Sequence, residues 1–190
     1  MKRLFAAIKI NPSEVFFAHY YSLKKQLQHE KIKWVEPENL HLTLKFFGET
    51  PEHHIPVINV ALSKAVEGFS SFEINIANTG IFGSSYKPRV IWLGIEDKEE
   101  TLSLATKIIS ELEYIGIESD RQNFVPHLSL GRIRSLNDKN IFQKVIDQHK
   151  EAYIQKEEVK EIHLFESILR PQGPEYKIIN SFELAGNSSN

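Results

Sequence analysis

The chain of 190 residues contains no cysteine. This absence excludes disulfide bonds, zinc sites built on thiolates and catalysis by a cysteine nucleophile, and it is typical of a reducing compartment. Long apolar runs are missing as well. The run at the N-terminus stops at Lys9, too short for a secretory signal, and no segment is long enough to span a bilayer. We therefore expect a cytoplasmic protein that binds no membrane.

An excess of charge of either sign is also missing, since 23 lysines and arginines stand against 25 acidic residues. A protein that coats RNA or DNA neutralises many phosphates and needs a strongly basic surface. The net charge of −2 argues against such coating. It favours a protein that grips one end or one phosphate of a nucleic acid.

What the chain does contain is a repeated tetrapeptide. His41–Leu44 reads His-Leu-Thr-Leu and His127–Leu130 reads His-Leu-Ser-Leu, with the histidines 127 − 41 = 86 residues apart. Apolar and polar side chains alternate in both copies, so each is expected to be a strand with its histidine and its hydroxyl on one face. Because histidine titrates near neutral pH, two imidazoles facing one cleft can act as proton acceptor and proton donor.

The order of elements around the tetrapeptides repeats too. Phe5 lies on a predicted strand 41 − 5 = 36 residues before His41, and Ile91 lies on another 127 − 91 = 36 residues before His127. Each half reads strand, helix, histidine strand, helix, strand. We expect a duplicated, bilobal α+β fold with two mainly antiparallel sheets facing a central groove and helices outside.

The same pattern sets the expected boundaries. One bilobal domain with interleaved lobes is expected over 1–184, with a pseudo-repeat of about 1–80 and 88–184, a linker near 80–89 and a disordered tail over 185–190. The first helix is expected after a cap at Ser13, with Val15 on its buried stripe, and the second is expected to open at 48–51. The remaining helices are predicted at 99–115 and after 137, and strands near 3–10, 32–35, 41–47, 72–76, 89–95, 127–133, 152–165 and 176–184.

Five segments together resemble a known family. The resemblance is to the two-histidine (2H) phosphoesterase superfamily and, within it, to the bacterial and archaeal RNA 2′,3′-cyclic phosphodiesterases, also called 2′-5′ RNA ligases. It covers nearly the whole chain, and it departs from the family pattern only slightly, at Ser129 and Phe47. The segments are Arg3–Phe5, Trp34 with Pro37–Glu49, Pro88–Gly94, Phe124–Arg132 and Leu164–Ser167.

The resemblance implies an enzyme that hydrolyses a terminal ribose 2′,3′-cyclic phosphate to a 2′-phosphate, on RNA or tRNA-fragment ends, without a metal or other cofactor. In some members the enzyme also joins RNA ends reversibly through a 2′-5′ linkage. Carried over to this sequence, His127 is the proton acceptor and His41 the proton donor. A monomer is expected.

Further site residues follow from position. Thr43 and Ser129 share a face with their histidines and can donate hydrogen bonds to phosphate oxygens. Arg132 is the first choice for a cation, although it reaches the histidine face only if Gly131 breaks the strand register. Lys45, on the His41 face by strict alternation, is the second choice. Phe47 and Tyr86 are candidates for stacking on a base.

Two other readings stay open. Another 2H activity, on 2′-5′ oligoadenylate or on nucleotide or ADP-ribose cyclic phosphates, fits the same motifs. A module that binds RNA ends without turnover is the second alternative. Intact histidines and hydroxyls in both motifs argue against it, because binding alone does not require two matched proton-transfer groups.

Overall fold

The computed structural model describes residues 1–84, 86–118 and 124–186 of the chain. Within them, nine strands and four α-helices form an α+β fold, which confirms the expected fold class. The strands are β1 Lys2–Lys9, β2 Lys31–Trp34, β3 His41–Thr50, β4 Phe72–Gly83, β5 Pro88–Ile95, β6 His127–Ser135, β7 Tyr153–Val159, β8 Glu161–Leu169 and β9 Pro174–Glu183. The helices are α1 Glu14–Gln26, α2 Ile55–Val66, α3 Glu99–Tyr114 and α4 Lys139–Gln148.

The described strands form one sheet in the order β7-β4-β5-β6-β3-β1-β8-β9, with β2 added on β6. This corrects the expectation of two separate sheets. The two histidine strands lie side by side, and a single register pair, Leu42 with Leu128, joins the two halves. We call β3, β1, β8 and β9 the first lobe, and β6, β5, β4, β7 and β2 the second lobe.

The lobes interleave along the chain, so the repeat boundaries are not lobe boundaries. Strands β8 and β9, at the C-terminal end, complete the first lobe, while β2 and β4, from the N-terminal half, pair within the second. The linker expected near 80–89 is instead the β4–β5 hairpin, in which Gly83 pairs with Pro88; Ser85 lies outside the described residues.

The end of the chain is ordered further than expected. Ala185, placed in the predicted tail, accepts a hydrogen bond from the Ser71 amide at 2.8 Å and donates one to the Phe69 carbonyl at 2.7 Å. These bonds satisfy backbone groups that a free tail leaves to water. The rest of the predicted tail, 187–190, lies outside the described residues.

Side chains cap the N-termini of α1 and α4. The Ser13 hydroxyl accepts from the Phe16 amide at 3.1 Å, as predicted for α1. Val15 was expected on the buried stripe but is 53% exposed, because it lies one residue, or about 100° of helical rotation, away from Phe16. The second helix starts later than expected, since β3 continues to Thr50 and a short 3₁₀ turn precedes α2.

Both faces of the sheet are buried near β1. On one face, Leu4 and Ile8 belong to the main core together with apolar residues of all four helices. On the other, Phe5 and Ala7 form a small second cluster with Phe165. We call the first side the helix face and the second the groove face. None of the helices in 1–84, 86–118 and 124–186 is long and apolar enough to cross a bilayer.

Candidate active site

The candidate site lies where β3 and β6 meet. Because Leu42 pairs antiparallel with Leu128, His41 comes opposite Ser129 and Thr43 opposite His127 on the groove face. The two histidines therefore occupy one diagonal of a four-residue group and the two hydroxyls the other. The leucines turn to the helix face, where both are fully buried. The arrangement is symmetric about the Leu42–Leu128 pair, as the repeated tetrapeptides predict.

Both imidazoles are anchored in the same way. The Nδ1 of His41 lies 2.7 Å from the carbonyl oxygen of Asn39, and the Nδ1 of His127 lies 2.7 Å from that of Val125. A carbonyl oxygen can only accept, so each Nδ1 carries a proton and donates it. Each Nε2 is thereby left to accept or release a proton, and each ring is held in one orientation.

The surroundings lower the pKa of both histidines. Burial lowers the pKa of His41, the hydrogen bond to Asn39 opposes this, and the charge of His127 lowers it further. Burial also lowers the pKa of His127, opposed by the bond to Val125, and the Arg132 guanidinium adds to the lowering. Because protonation of one imidazole disfavours protonation of the other, the two titrate as a coupled pair.

The two histidines differ in their aromatic neighbours. His41 packs on Phe5, with ring centroids 4.8 Å apart, and meets the Tyr176 ring edge-on at 5.1 Å. Among the described residues, His127 meets one ring, that of Phe82, edge-on at 4.6 Å. Within this part of the chain, His41 therefore has more aromatic contacts than His127.

Arg132 lies on the groove face, as its predicted role requires. In the β5–β6 ladder, Trp92 pairs with Ser129 but Ile91 pairs with Gly131, so Leu130 is an extra residue on β6. This bulge restores Arg132 to the face that carries His127 and Ser129. The effect of the guanidinium on the pKa of His127 agrees with this position.

Lys45 lies on the opposite face, and its predicted position is wrong. In the β1–β3 ladder, Thr43 pairs with Ala7 but Lys45 pairs with Ala6, so Leu44 is an extra residue on β3. The bulge turns Lys45 to the helix face, where it is 5% exposed and its Nζ donates to the Glu118 carbonyl oxygen at 3.2 Å. Strict alternation fails here because a bulge shifts every later residue by one.

The two predicted stacking aromatics also lie away from the histidines. Phe47 packs against the main core, and the exposed Tyr86 ring lies at the hairpin, 4.0 Å from the Lys139 ammonium. Phe46, the neighbour of Phe47, does lie on the groove face, where it pairs with Phe5 and is 44% exposed.

The 86-residue offset could have found Phe46. Applied beyond the tetrapeptides, it aligns Lys45 with Gly131 and Phe46 with Arg132. The register break that the sequence required for Arg132 therefore predicts, by symmetry, that Lys45 leaves the groove face and Phe46 enters it. Tyr176 carried no such signal, since its contact with His41 depends on how β9 packs.

A groove with one histidine and one hydroxyl from each of two symmetric strands is the arrangement of a two-histidine phosphoesterase. The family model described as LigT like Phosphoesterase matches residues 10–92. The RNA 2′,3′-cyclic phosphodiesterase of Methanothermobacter thermautotrophicus is 34% identical over 154 residues, 81% of this chain and 83% of the relative. The protein of the same name from Methanocaldococcus jannaschii is 32% identical over 181 residues, 95% of this chain and 99% of the relative.

A solved structure shares the whole fold. The crystal structure of the Thermus thermophilus protein TT0787 superposes with a TM-score of 0.79 at 27% identity, covering 97% of this chain and 99% of that one. The chain belongs to the LigT-like phosphoesterase family. It is therefore an enzyme of the phosphoric diester hydrolase class.

Proposed function

We propose that this enzyme hydrolyses the terminal 2′,3′-cyclic phosphate of RNA to a 2′-phosphate by paired-histidine catalysis, without a metal ion. The observation that carries the proposal is the diagonal pair of imidazoles, His41 and His127, each anchored through Nδ1 so that Nε2 is free for proton transfer. Relatives at 32 to 34% identity that bear the name RNA 2′,3′-cyclic phosphodiesterase support the substrate class.

The reaction balances with these two groups. The oxygen of a water molecule forms a bond to phosphorus while its proton passes to Nε2 of His127. The bond from phosphorus to O3′ breaks, and Nε2 of His41 donates a proton to the departing O3′. The phosphate stays on O2′, and the proton gained by His127 returns to His41 through solvent. Each positioned acid or base contributes about 10²–10⁴-fold.

The protonation states also fit an anionic substrate. Burial lowers the pKa of His41, so this imidazole is neutral in the free enzyme near neutral pH. A phosphate anion placed between the imidazoles favours the charged form of the donor and raises its pKa. Substrate binding thus helps to charge the acid, whereas burial and, to a smaller extent, the Arg132 guanidinium lower the pKa of His127 and keep it neutral as the base requires.

The remaining groups hold the phosphate. Thr43 and Ser129, opposite His127 and His41 in the register, donate hydrogen bonds to the non-bridging oxygens. Arg132 offsets the charge that grows on those oxygens in the transition state. Lys45 has no part in this proposal, because its side chain lies on the helix face.

The same groups can also join RNA ends. An RNA 5′-hydroxyl that attacks phosphorus in the place of water gives a 2′-5′ linkage, with His127 again the acceptor and His41 the donor. In the reverse reaction O3′ attacks phosphorus, the 5′-oxygen leaves, and the two histidines exchange roles. We propose that residues 1–184 act as one bilobal domain and as a monomer on RNA or tRNA-fragment ends. The single sheet that joins the lobes supports this, since each lobe supplies half of the site.

The test uses an oligoribonucleotide that ends in a 2′,3′-cyclic phosphate, incubated with enzyme and EDTA, and maps the product terminus. The expected product is a 2′-phosphate, formed equally with and without chelator and lost in His41→Ala and His127→Ala. His29→Ala, an exposed histidine outside the groove, is the matched control and keeps full activity. Activity in either groove variant, or dependence on added metal, contradicts the mechanism.

Faster turnover of 2′-5′ oligoadenylate or of mononucleotide cyclic phosphates favours another 2H activity, and tight binding without turnover favours an RNA-end-binding module.

A further inference from the structure

Asn39 joins the His41 imidazole to the strand at the edge of the first lobe. Its backbone carbonyl oxygen accepts the hydrogen bond from Nδ1 of His41 at 2.7 Å. Its side-chain amide nitrogen, Nδ2, donates to the carbonyl oxygen of Pro174, the first residue of β9, at 3.0 Å. One residue thus holds the imidazole through its main chain and β9 through its side chain. We call these two bonds the Asn39 link.

The turn before β3 makes the Asn39 carbonyl available for this role. Pro37–Asn39 form one 3₁₀ turn, and the extended backbone of Leu40, with φ −66° and ψ 125°, ends it. Carbonyl groups at the end of such a turn have no partner within it. Nδ1 of His41 supplies the missing donor, so the orientation of the imidazole depends on that of the Asn39 peptide group.

The bond to Pro174 crosses the groove face. In the sheet, β1 and β8 separate β3 from β9, and three strand spacings amount to about 14 Å. A bond of 3.0 Å therefore requires the turn before β3 and the start of β9 to approach each other over these two strands. A curled sheet brings them together on its concave side, which is the side that carries His41.

The start of β9 also brings an aromatic ring to the histidine. Tyr176, two residues after Pro174, meets His41 edge-on at 5.1 Å and Phe5 edge-on at 5.0 Å. Burial is the main cause that lowers the pKa of His41, and the Tyr176 ring covers part of the imidazole. The contacts form a closed circuit from Asn39 to Pro174, along β9 to Tyr176, on to His41 and back to Asn39.

The second lobe has only the main-chain half of this link. The offset of 125 − 39 = 86 residues relates Asn39 to Val125, whose carbonyl oxygen accepts from Nδ1 of His127 at 2.7 Å. A valine side chain has no hydrogen-bond donor, so the anchor of His127 cannot be tied to another strand in this way. The asymmetry suits the two roles. O3′ is fixed by the ribose and needs an aligned acid, whereas the attacking water can adjust to its base.

We propose that Asn39 is a positioning residue for the general acid, because its link holds the start of β9 against His41 and fixes the direction in which Nε2 donates its proton. Asn39 touches neither the substrate nor the reacting atoms. It acts on the imidazole directly through its carbonyl oxygen and indirectly through Tyr176. The inference rests on the proposed function, which it deepens.

The titration of His41 reports on this arrangement. Among the described residues, the charged or titratable groups that face the imidazole are His127 on β6, Lys9, its register partner on β1, and the Tyr176 hydroxyl on β9. Loss of the link leaves His127 and Lys9 in place but lets the Tyr176 ring withdraw and water approach. Because burial lowers the pKa of His41, this pKa is expected to rise toward its ordinary value.

The kinetic test compares the cyclic phosphate substrate with the same substrate carrying sulfur in place of O3′. Asn39→Ala is expected to lower kcat on the oxygen substrate about 10- to 100-fold with little change in KM, since the acid is misplaced in the transition state. On the sulfur substrate it is expected to match the wild type, because a thiolate leaves without a proton. Asn140→Ala, at an exposed asparagine on α4, is the matched control. Equal losses on both substrates, as a general structural defect gives, or no loss on either, overturn the proposal.

A titration without substrate separates this proposal from the proposed function. The Cε1–H chemical shifts of both histidines are followed against pH in the wild type, Asn39→Ala, Tyr176→Leu and the double variant. Each single change is expected to raise the pKa of His41 more than that of His127, and the double variant to add little, because both changes act through the same ring.

The outcomes are distinguishable. An enzyme that hydrolyses no cyclic phosphate but shows these pKa changes refutes the proposed function and keeps the role of Asn39 in holding His41. An enzyme that hydrolyses the substrate, and in which Asn39→Ala changes neither the pKa of His41 nor the ratio of the two rates, refutes the positioning role alone.

Discussion

Gly131 holds Arg132 in position, and adding one methyl group there tests this. In Gly131→Ala the new Cβ lies 2.8 Å from Cγ2 of Ile32 and 3.2 Å from Cε3 of Trp34. Carbon atoms settle at about 3.5–4.0 Å, so β2 or β6 must move by at least about 0.7 Å. Because Gly131 is paired with Ile91 at the register break, this movement falls directly before Arg132.

Two magnitudes follow from that displacement. Forcing an extra carbon into a packed site costs about 1–3 kcal/mol, which lowers the Tm of a chain of this size by about 2–12 °C. A misplacement near 1 Å of a phosphate-binding group lowers turnover by up to about 10²-fold. We expect kcat/KM on the cyclic phosphate substrate to fall about 10- to 100-fold, with both histidines intact.

The assay combines thermal unfolding with kinetics in a double-mutant cycle. Gly131→Ala is measured in the wild-type and in the Arg132→Gln background, and Gly186→Ala, whose Cβ would meet nothing within 4 Å, is the control. If the glycine acts through the guanidinium, Gly131→Ala costs little further activity once Arg132 is replaced. Full additivity of the two losses, or an alanine variant with unchanged Tm and kcat/KM, refutes the reasoning.

Two further predictions concern titration. Arg132→Gln removes a positive charge that lowers the pKa of His127, so the pKa of His127 is expected to rise while that of His41 changes less. Both pKa values are measured from the chemical shifts of the histidine Cε1–H protons followed against pH. A larger change in the pKa of His41 than in that of His127 contradicts the prediction. Burial lowers the pKa of His19 from 6.5 to about 4, so the unfolded chain binds the extra proton and stability is lost as pH falls from 6.5 to 4. Because the ring is partly exposed, the loss is about 1–2 kcal/mol, and urea unfolding at pH 7.5 and 4.5 should show the wild type losing that much more stability than His19→Gln, in which the other histidines still titrate.

The parts of the fold that depend on side-chain period were predictable. Alternation places His41 and Thr43 on one face and buries Leu42, and the 86-residue offset predicts that the two histidine strands are equivalent. These properties are local, because period and burial are set within a few residues. The pairing of β8 with β1 was not predictable, since residues about 160 positions apart share no local signal.

The site residues also divide into those whose positions the sequence predicts and those whose positions it does not. The histidines and hydroxyls follow from the motif, whereas the position of Lys45 depends on a bulge at Leu44 that alternation does not indicate. Gly131 signals the equivalent bulge on β6, because a glycine within a strand favours one. The β3 bulge carries no glycine next to it, so only the symmetry between the strands predicts it.

The central claim is that His41 protonates the leaving oxygen and His127 activates water. It is tested most directly with a substrate in which sulfur replaces O3′ of the 2′,3′-cyclic phosphate. A thiolate with a pKa of about 8.5 leaves without a proton, so the substrate no longer needs the acid. The expected result is that His41→Ala, inactive on the oxygen substrate, recovers most of the wild-type rate, while His127→Ala stays about 10²–10⁴-fold slower. Recovery of His127→Ala in place of His41→Ala, or recovery of neither, contradicts the account.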